Sequence, residues 1–462
     1  MGEIMDLTKI ELLVSKMRLS FNQGLSRPLD KRKEQLKQLK KMLVENEKQF
    51  YAALSSDLGK GEYEAFTSEV GFTVGEVGYT LKRLDEWASR KNVSTPLVAQ
   101  PASSYRVPQP LGVVLIIGAW NYPIQLTLGP LIAAIAAGNS VILKPSELSP
   151  RCSALLAELL PKYLDNELFS VVEGGVDETT ELLKQKFNHI FYTGGEAVGK
   201  IVMRAAAEHL TPVVLELGGK SPCIVDKNTS LDTTAARIAW SKWLNVGQTC
   251  VAPDYVIVER EFADPLIAAL TEKLKAYYGD NIKSNPDYGR IVNKRNVARL
   301  ASYLDKQDVV FGGEYDEDER FFAPTIVKDP DPASELMQQE IFGPILPICI
   351  VDDIKDSIAL VNSRPLPLAL YLYTKNRALE KEVVNSTTAG NMCINDGIMF
   401  MANPNLPFGG VGNSGMGSYH GKAGFETFSH YKSVMRRGTL LDPSLRYPPY
   451  SSNKLNIMRK LL

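Results

Sequence analysis

Residues 112–144 read GVVLIIGAWNYPIQLTLGPLIAAIAAGNSVILK. Positions 113–117 form an unbroken apolar run rich in β-branched side chains, directly after the breakers Pro108, Pro110 and Gly112. Such a run is expected of a central parallel strand buried on both faces. An apolar helix is predicted from there to about Ala137, a second strand over 141–144, and a further helix from about Pro150. The alternation continues with a strand over 169–172, a helix over 179–185, a strand over 189–193 and a helix over 196–208. Repeated βαβ units predict a doubly wound sheet. The first hundred residues instead read as helices, with Leu36, Leu39 and Leu43 three and four positions apart. The interspersed Lys33, Lys37, Lys40 and Lys41, broken up by Glu34, Glu45 and Glu47, form either a solvated face or an anion-binding patch. Past a boundary near residue 212, strands over 221–225 and 255–258 and helices over 232–244 and 264–278 predict a second α/β domain.

The chain of 462 residues has room for two or three domains, at roughly 100–200 residues each. Hydrophobic residues make up 44% and charged residues 23%, which excludes a disordered chain. Lys plus Arg is 52 and Asp plus Glu is 53, so no global charge attracts nucleic acid or anionic lipid. The five cysteines are odd in number and lack a CxxC pair, which argues against a disulfide framework and for a reducing, cytoplasmic compartment. The start, MGEIMDLTKI, lacks the basic-then-apolar pattern of a signal peptide, and Asp6 sits where a myristoylation motif needs Ser or Thr. No apolar stretch approaches the ~18 residues of a membrane span.

Five places carry side chains suited to chemistry. Gly194 to Gly199, after the strand at 189–193, could present backbone N–H groups to a phosphate or could be plain turn punctuation. Lys144-Pro145-Ser146-Glu147 ends a strand at the sheet's carboxyl edge. Its cation and carboxylate could bind ribose hydroxyls or phosphate, or Ser146 could simply cap a helix. Cys250 lies in the polar turn NVGQTC, unlike Cys223 and Cys349 in apolar surroundings, so it is either a reactive thiol or an inert one. Glu216 interrupts an apolar strand ahead of Gly218 and Gly219; it is a candidate base or a strand-end carboxylate bonded to backbone amides. Asn121 offers an amide to an oxyanion or serves turn chemistry. The four histidines show no HxxxH or HExxH spacing, so no metal site is expected.

In chain order, GAWNYP around Asn121, LKPSE around Lys144, YTGGEAVGK around Gly194, LELGGKSP around Glu216, NVGQTCVAPDY around Cys250, EIFGP at 340–344 and LPFGGVGNSGMGSYHGK at 406–422 resemble the aldehyde dehydrogenase superfamily. The GAWNYP form, the GMGSYHGK segment and the RYPPYS tail near Arg446 are most similar to its class 3 branch of fatty and aromatic aldehyde dehydrogenases. The resemblance implies two doubly wound α/β domains plus a small bridging β arm: a dinucleotide-binding domain (1–84 and 109–212), a catalytic domain (213–390), an oligomerisation arm (85–108 and 391–435) and a tail (436–462). It implies Cys250 as nucleophile, Asn121 and the Cys250 N–H as oxyanion donors, and Glu216 as the base that activates water against a thioester. Contacts to NAD or NADP are implied for Trp120, Lys144, Ser146, Glu147, Gly194, Gly195, Val198, Gly199, Leu217, Gly218, Glu340 and Phe342. Gly195 departs from the family pattern, since many members carry Ser there.

The implied activity is oxidation of an aldehyde to a carboxylic acid, with a homodimer as the assembly. Two rivals stand beside it: an acylating dehydrogenase that hands the thioester to coenzyme A or phosphate, which Glu216 argues against, and a non-catalytic binding protein on the same fold. The last residues, KLNIMRKLL, mix apolar and basic side chains, consistent with weak contact at a membrane surface but no span.

Overall fold

The computed structural model describes residues 8–462, so the reading of the extreme N-terminus falls outside the described residues. Two sheets organise the chain. The first has six strands in the order Gly415–Met416, Val213–Glu216, His189–Thr193, Val113–Ile117, Ser140–Lys144 and Phe169–Val171. All its pairs are parallel except the first. Residues 113–117 and 140–144 are buried throughout, which explains the apolar runs at 113–117 and 141–143. The chain winds from Val113–Ile117 outward through two strands, then returns to the other side with His189–Thr193. The crevice where the order reverses, at the carboxyl ends, is where open α/β sheets bind ligands.

The second sheet has seven strands, in the order Val309–Phe311, Thr325–Lys328, Ile345–Val351, Tyr255–Glu259, Pro222–Val225, Ala369–Tyr373 and Asn391–Ile394. It too is parallel apart from its first pair. A third, antiparallel sheet joins Lys91–Val93, Ala102–Pro110 and Ser429–Arg437. The wholly buried helix Gln125–Ala137 packs between the first sheet and the amphipathic helices Leu29–Glu45 and Gly71–Ala88.

Sheet membership shifts several expected boundaries. Val213–Glu216 completes the first sheet, because the next strand that starts a new layer is Pro222–Val225. The segment 391–435 divides three ways: Asn391–Ile394 edges the second sheet, Gly415–Met416 pairs with Glu216 and Leu215 in the first, and only Ser429–Arg437 joins the arm. Residues 85–88 finish a helix, and the tail's first two residues still belong to the arm strand. The predicted helix over 179–185 starts earlier, at Val176, where the Glu178 carboxylate accepts the Gly175 N–H. The tail ends in the helix Ser452–Leu461 against the turn Leu97–Ala99. No helix among the described residues is long and apolar enough to cross a membrane.

Candidate active site

The carboxyl edge of the first sheet faces the amino edge of the second. Asn121 follows Val113–Ile117, Glu216 ends its strand, and Cys250 precedes the strand Tyr255–Glu259. Ahead of Cys250 the backbone coils through three left-handed residues, Asn245 (φ 51°), Val246 (φ 56°) and Gly247 (φ 72°). A β-branched residue in this region is strained and persists only when its surroundings hold it. Gly247 is required, since a Cβ there would lie 2.2 Å from the carbonyl oxygen of Gly343. The turn is tied down internally: Gln248 Nε2 donates to the carbonyls of Asn245 (3.1 Å) and Arg290 (3.0 Å), and its Oε1 accepts from the Val292 N–H (2.9 Å).

Asn121 is joined to this turn. Its Nδ2 donates to the Gln248 carbonyl at 3.0 Å, while its own carbonyl accepts from Asn245 Nδ2 at 2.9 Å. The next residues pair likewise, with the Tyr122 and Thr249 hydroxyls 2.6 Å apart. One amide hydrogen of Asn121 is thereby committed and the other left for a ligand. The Cys250 thiol is pushed up to about 12, chiefly by burial, with the Glu340 and Glu216 carboxylates adding to the shift. The N–H groups of Cys250 and Val251 act in the opposite direction. Glu216 is 3% exposed, and neither carboxylate oxygen has a hydrogen-bond partner among the described residues. Burial holds its carboxyl well above the usual carboxylate range.

Glu340 reaches this region from the loop before Ile345–Val351, and burial pushes it up to about 8. The nearby Gly219 N–H works against that shift, and the carboxylate lies so close to Gly218 that a Cβ there would meet Oε2 at 2.1 Å. The loop is clamped by Lys220, whose ammonium binds Asp254 (2.5 Å) and the carbonyls of Leu336 (2.7 Å) and Gln339 (3.0 Å). Asp254 in turn accepts the Ile341 N–H. Phe342 sets its ring edge-on to Trp120, with centroids 5.4 Å apart.

The remaining candidates line the carboxyl edge of the first sheet. Lys144 is 2% exposed; its ammonium donates to the Pro145 carbonyl (2.7 Å) and lies 3.4 Å from exposed Glu147, and burial lowers its pKa. Ser146 Oγ accepts the Leu148 N–H at 3.2 Å, a turn contact just ahead of the helix Pro150–Tyr163. Gly195 is exposed at the N-terminus of the helix Glu196–Ala207, with nothing within 4 Å of where its Cβ would be. Val198 is exposed on that helix's first turns, whereas Gly199 is buried against Leu217. A buried cation, an exposed neighbouring carboxylate and free N–H groups at a helix start form a donor set that fits a dinucleotide.

Sequence reasoning passed over several buried groups here. Lys242, 1% exposed, ends the helix Leu231–Trp243 near Glu340 and Asp254, and burial pushes it down to about 8. Lys60, Glu64 and Glu69 lie behind Asn121. Lys60 lies in the loop between the helices Glu47–Leu58 and Glu62–Ala65, and Glu69 in the turn Phe66–Val70; nothing in their local sequence marks them as buried, since charged residues ordinarily face solvent.

Residues 5–434 match the family model of the aldehyde dehydrogenase family. The chain is 51% identical to aldehyde dehydrogenase family 3 member A2 of Pongo abelii, over 97% of this chain and 93% of that one. It is 48% identical to the dimeric NADP-preferring aldehyde dehydrogenase of Canis lupus familiaris, over 96% and 98% respectively. Among solved structures, the substrate-bound Staphylococcus aureus AldH superposes with a TM-score of 0.96 at 44% identity, covering 98% of this chain and 99% of that one. A Mycobacterium tuberculosis aldehyde dehydrogenase complexed with NAD+ gives 0.85 at 28% identity, covering 95% and 92%. With the family model spanning nearly the whole chain and half its residues shared with family 3 enzymes, the protein belongs to the aldehyde dehydrogenase family, its class 3 branch, and is an aldehyde dehydrogenase that uses NAD or NADP.

Proposed function

We propose that Cys250 oxidises aldehydes through a covalent thioester that Glu216 causes water to hydrolyse, releasing a carboxylic acid. The observation that carries this reading is the joining of the Cys250 turn to Asn121, beside a buried Glu216 with no other partner. Glu216, in its ionised form, takes the thiol proton, and Sγ adds to the aldehyde carbon. The oxygen, now an oxyanion, takes hydrogen bonds from the free Asn121 amide hydrogen and the Cys250 N–H, and a donor of this kind is worth ~10²–10³ in rate. NAD or NADP, when bound, accepts the hydride that leaves the tetrahedral carbon. Lys144 and Glu147 would hold the adenosine ribose, with Ser146 shaping that turn. Gly194, Gly195, Val198 and Gly199 would flank the pyrophosphate. Trp120, Leu217, Gly218, Glu340 and Phe342 would frame the nicotinamide end, with Glu340 on its ribose. Burial raises the pKa of Glu216, and only its ionised form can take a proton from water, so hydrolysis quickens as pH rises.

The substrates are apolar aldehydes, aliphatic or aromatic, and the working assembly is a homodimer in the cytoplasm. The test is cofactor reduction with hexanal, decanal and benzaldehyde, using NAD and NADP. Cys250→Ala should be inert, and Glu216→Gln should give one burst of reduced cofactor followed by turnover slowed ~10²-fold or more. Steady turnover in Cys250→Ala would overturn the mechanism, and wild-type reduction only with coenzyme A or phosphate would point to an acylating enzyme.

A further inference from the structure

Behind the proposed oxyanion donor lies a buried ion pair that the chemistry above does not use. Lys60 and Glu69 are 2% and 0% exposed, and their charged atoms are 2.6 Å apart. A buried pair of this kind is weak evidence for stability, because desolvation offsets most of the attraction. Its remaining bonds all run to the segment that carries Asn121. Lys60 Nζ donates to the Asn121 carbonyl at 2.9 Å and sits 3.9 Å from the centre of the Tyr122 ring. Glu69 Oε2 accepts the N–H groups of Ile124 and Gln125, both at 3.0 Å, where the helix Gln125–Ala137 begins. The pair therefore grips residues 121–125 from both ends. Glu69 comes from Phe66–Val70, a π-helical turn between two α-helical segments. Such turns change the direction of side chains and gather at functional sites. On the same segment, Glu64 faces the Asn245 N–H in the strained turn ahead of Cys250.

We infer that Lys60, locked by Glu69, is a positioning residue of the aldehyde dehydrogenase reaction: it fixes the Asn121 backbone so that the side-chain amide meets the oxyanion. This rests on the reading of Asn121 as the oxyanion donor. Lys60 touches no reacting atom, and its whole effect passes through Asn121. Moving the carbonyl it holds would swing the amide by a fraction of an ångström, and displacements of that order lower rates steeply.

The experiment is a double-mutant cycle with Lys60→Met and Asn121→Ala, read as the pre-steady-state burst of reduced cofactor and as KM for the cofactor. Lys60→Met should slow the burst 10- to 100-fold while the cofactor KM changes less than twofold. Adding Lys60→Met to Asn121→Ala should cost less than threefold more, since the group it acts through is already gone. A full multiplicative loss in the double variant, or an undiminished burst in Lys60→Met, would overturn the inference. An undiminished burst in Asn121→Ala alone would instead overturn the reading of Asn121. If Lys60→Met fails to fold, Lys60→Met/Glu69→Gln serves in its place, because it is neutral and keeps an acceptor for the Ile124 and Gln125 N–H groups; a wild-type burst in that protein counts equally against the inference.

Discussion

Buried carboxyls set much of the chemistry at the residue scale, and they also make stability depend on pH. Burial pushes Glu64 up to about 7, and Glu76 and Glu340 up to about 8. Each binds its proton more tightly in the folded chain than in the unfolded one, so its contribution is fully present below the unfolded carboxylate pKa. That contribution is lost as pH rises from the unfolded value toward 7 to 8, by about 1.4 kcal/mol per pH unit for each proton released on unfolding, and the loss levels off above the folded value. Glu76 is the clean test: it sits in the helix Gly71–Ala88, burial raises its pKa against only a small opposing effect of the Gly421 N–H, and its Oε2 has no partner among the described residues. Glu76→Gln should flatten the fall in the urea midpoint between about pH 5 and 8, and a parallel fall in both proteins would remove Glu76 as its source. The same physics governs what could be read from residues alone. Cys250 and Asn121 stood out because polar side chains in glycine-bearing turns are unusual companions to apolar strands. Lys60 and Glu69 did not, because they are buried against residues 121–125, 55 to 61 positions further along, and nothing local distinguishes such charges from solvated ones.

Strands and helices differ in how plainly they announce themselves at the scale of the element. The strands at 113–117, 140–144 and 189–193 are buried along their whole length and built around apolar runs because both faces are covered, and their positions were legible to within a residue. The two-residue strand Gly415–Met416 lay hidden in a glycine-rich stretch, since its pairing with Glu216 and Leu215 comes from approach over 199 residues (415 − 216) and not from pattern. Asn391–Ile394, which the resemblance places in the arm, pairs in the second sheet instead; its half-buried residues carry no alternating or continuous signature that shows this. One element also allows a gain of function. Gly195 caps the helix Glu196–Ala207 without a side-chain bond, in an extended conformation (φ −75°, ψ 152°) that any residue adopts. Serine in that place improves on glycine as a cap by a few tenths of a kcal/mol. Gly195→Ser should therefore slightly raise the melting temperature, and its hydroxyl should lower the cofactor KM severalfold by adding a phosphate donor. Calorimetry and initial rates check the two effects separately, and a higher KM would argue against a phosphate at this turn.

The largest scale concerns how two copies of the chain would meet. The arm is a three-stranded antiparallel sheet whose order, 91–93, 102–110, 429–437, leaves both outer strands without a neighbour on one side among the described residues. Unpaired edges of this length are a template for further pairing, and proteins usually cover them or charge them. Val93 lies opposite Ser104, and Ser104 opposite Met435, so Val93 and Met435 share one face of the sheet. Both are exposed, at 42% and 58%, and Leu97 in the adjoining turn is 68% exposed. An apolar face next to an open edge is costly to leave in water and inexpensive to bury against its own copy, where a two-fold axis brings like strands together. The wild-type enzyme should then run at about 102 kDa (2 × 51.1 kDa) by light scattering after size exclusion. Met435→Asp places a charge in that face and should shift the mass toward 51.1 kDa at low micromolar concentration. Because the arm lies apart from Cys250, the monomer should keep measurable cofactor reduction. A dimer that withstands Met435→Asp would move the contact to another surface, and a wild type that runs as a monomer would end the dimer proposal.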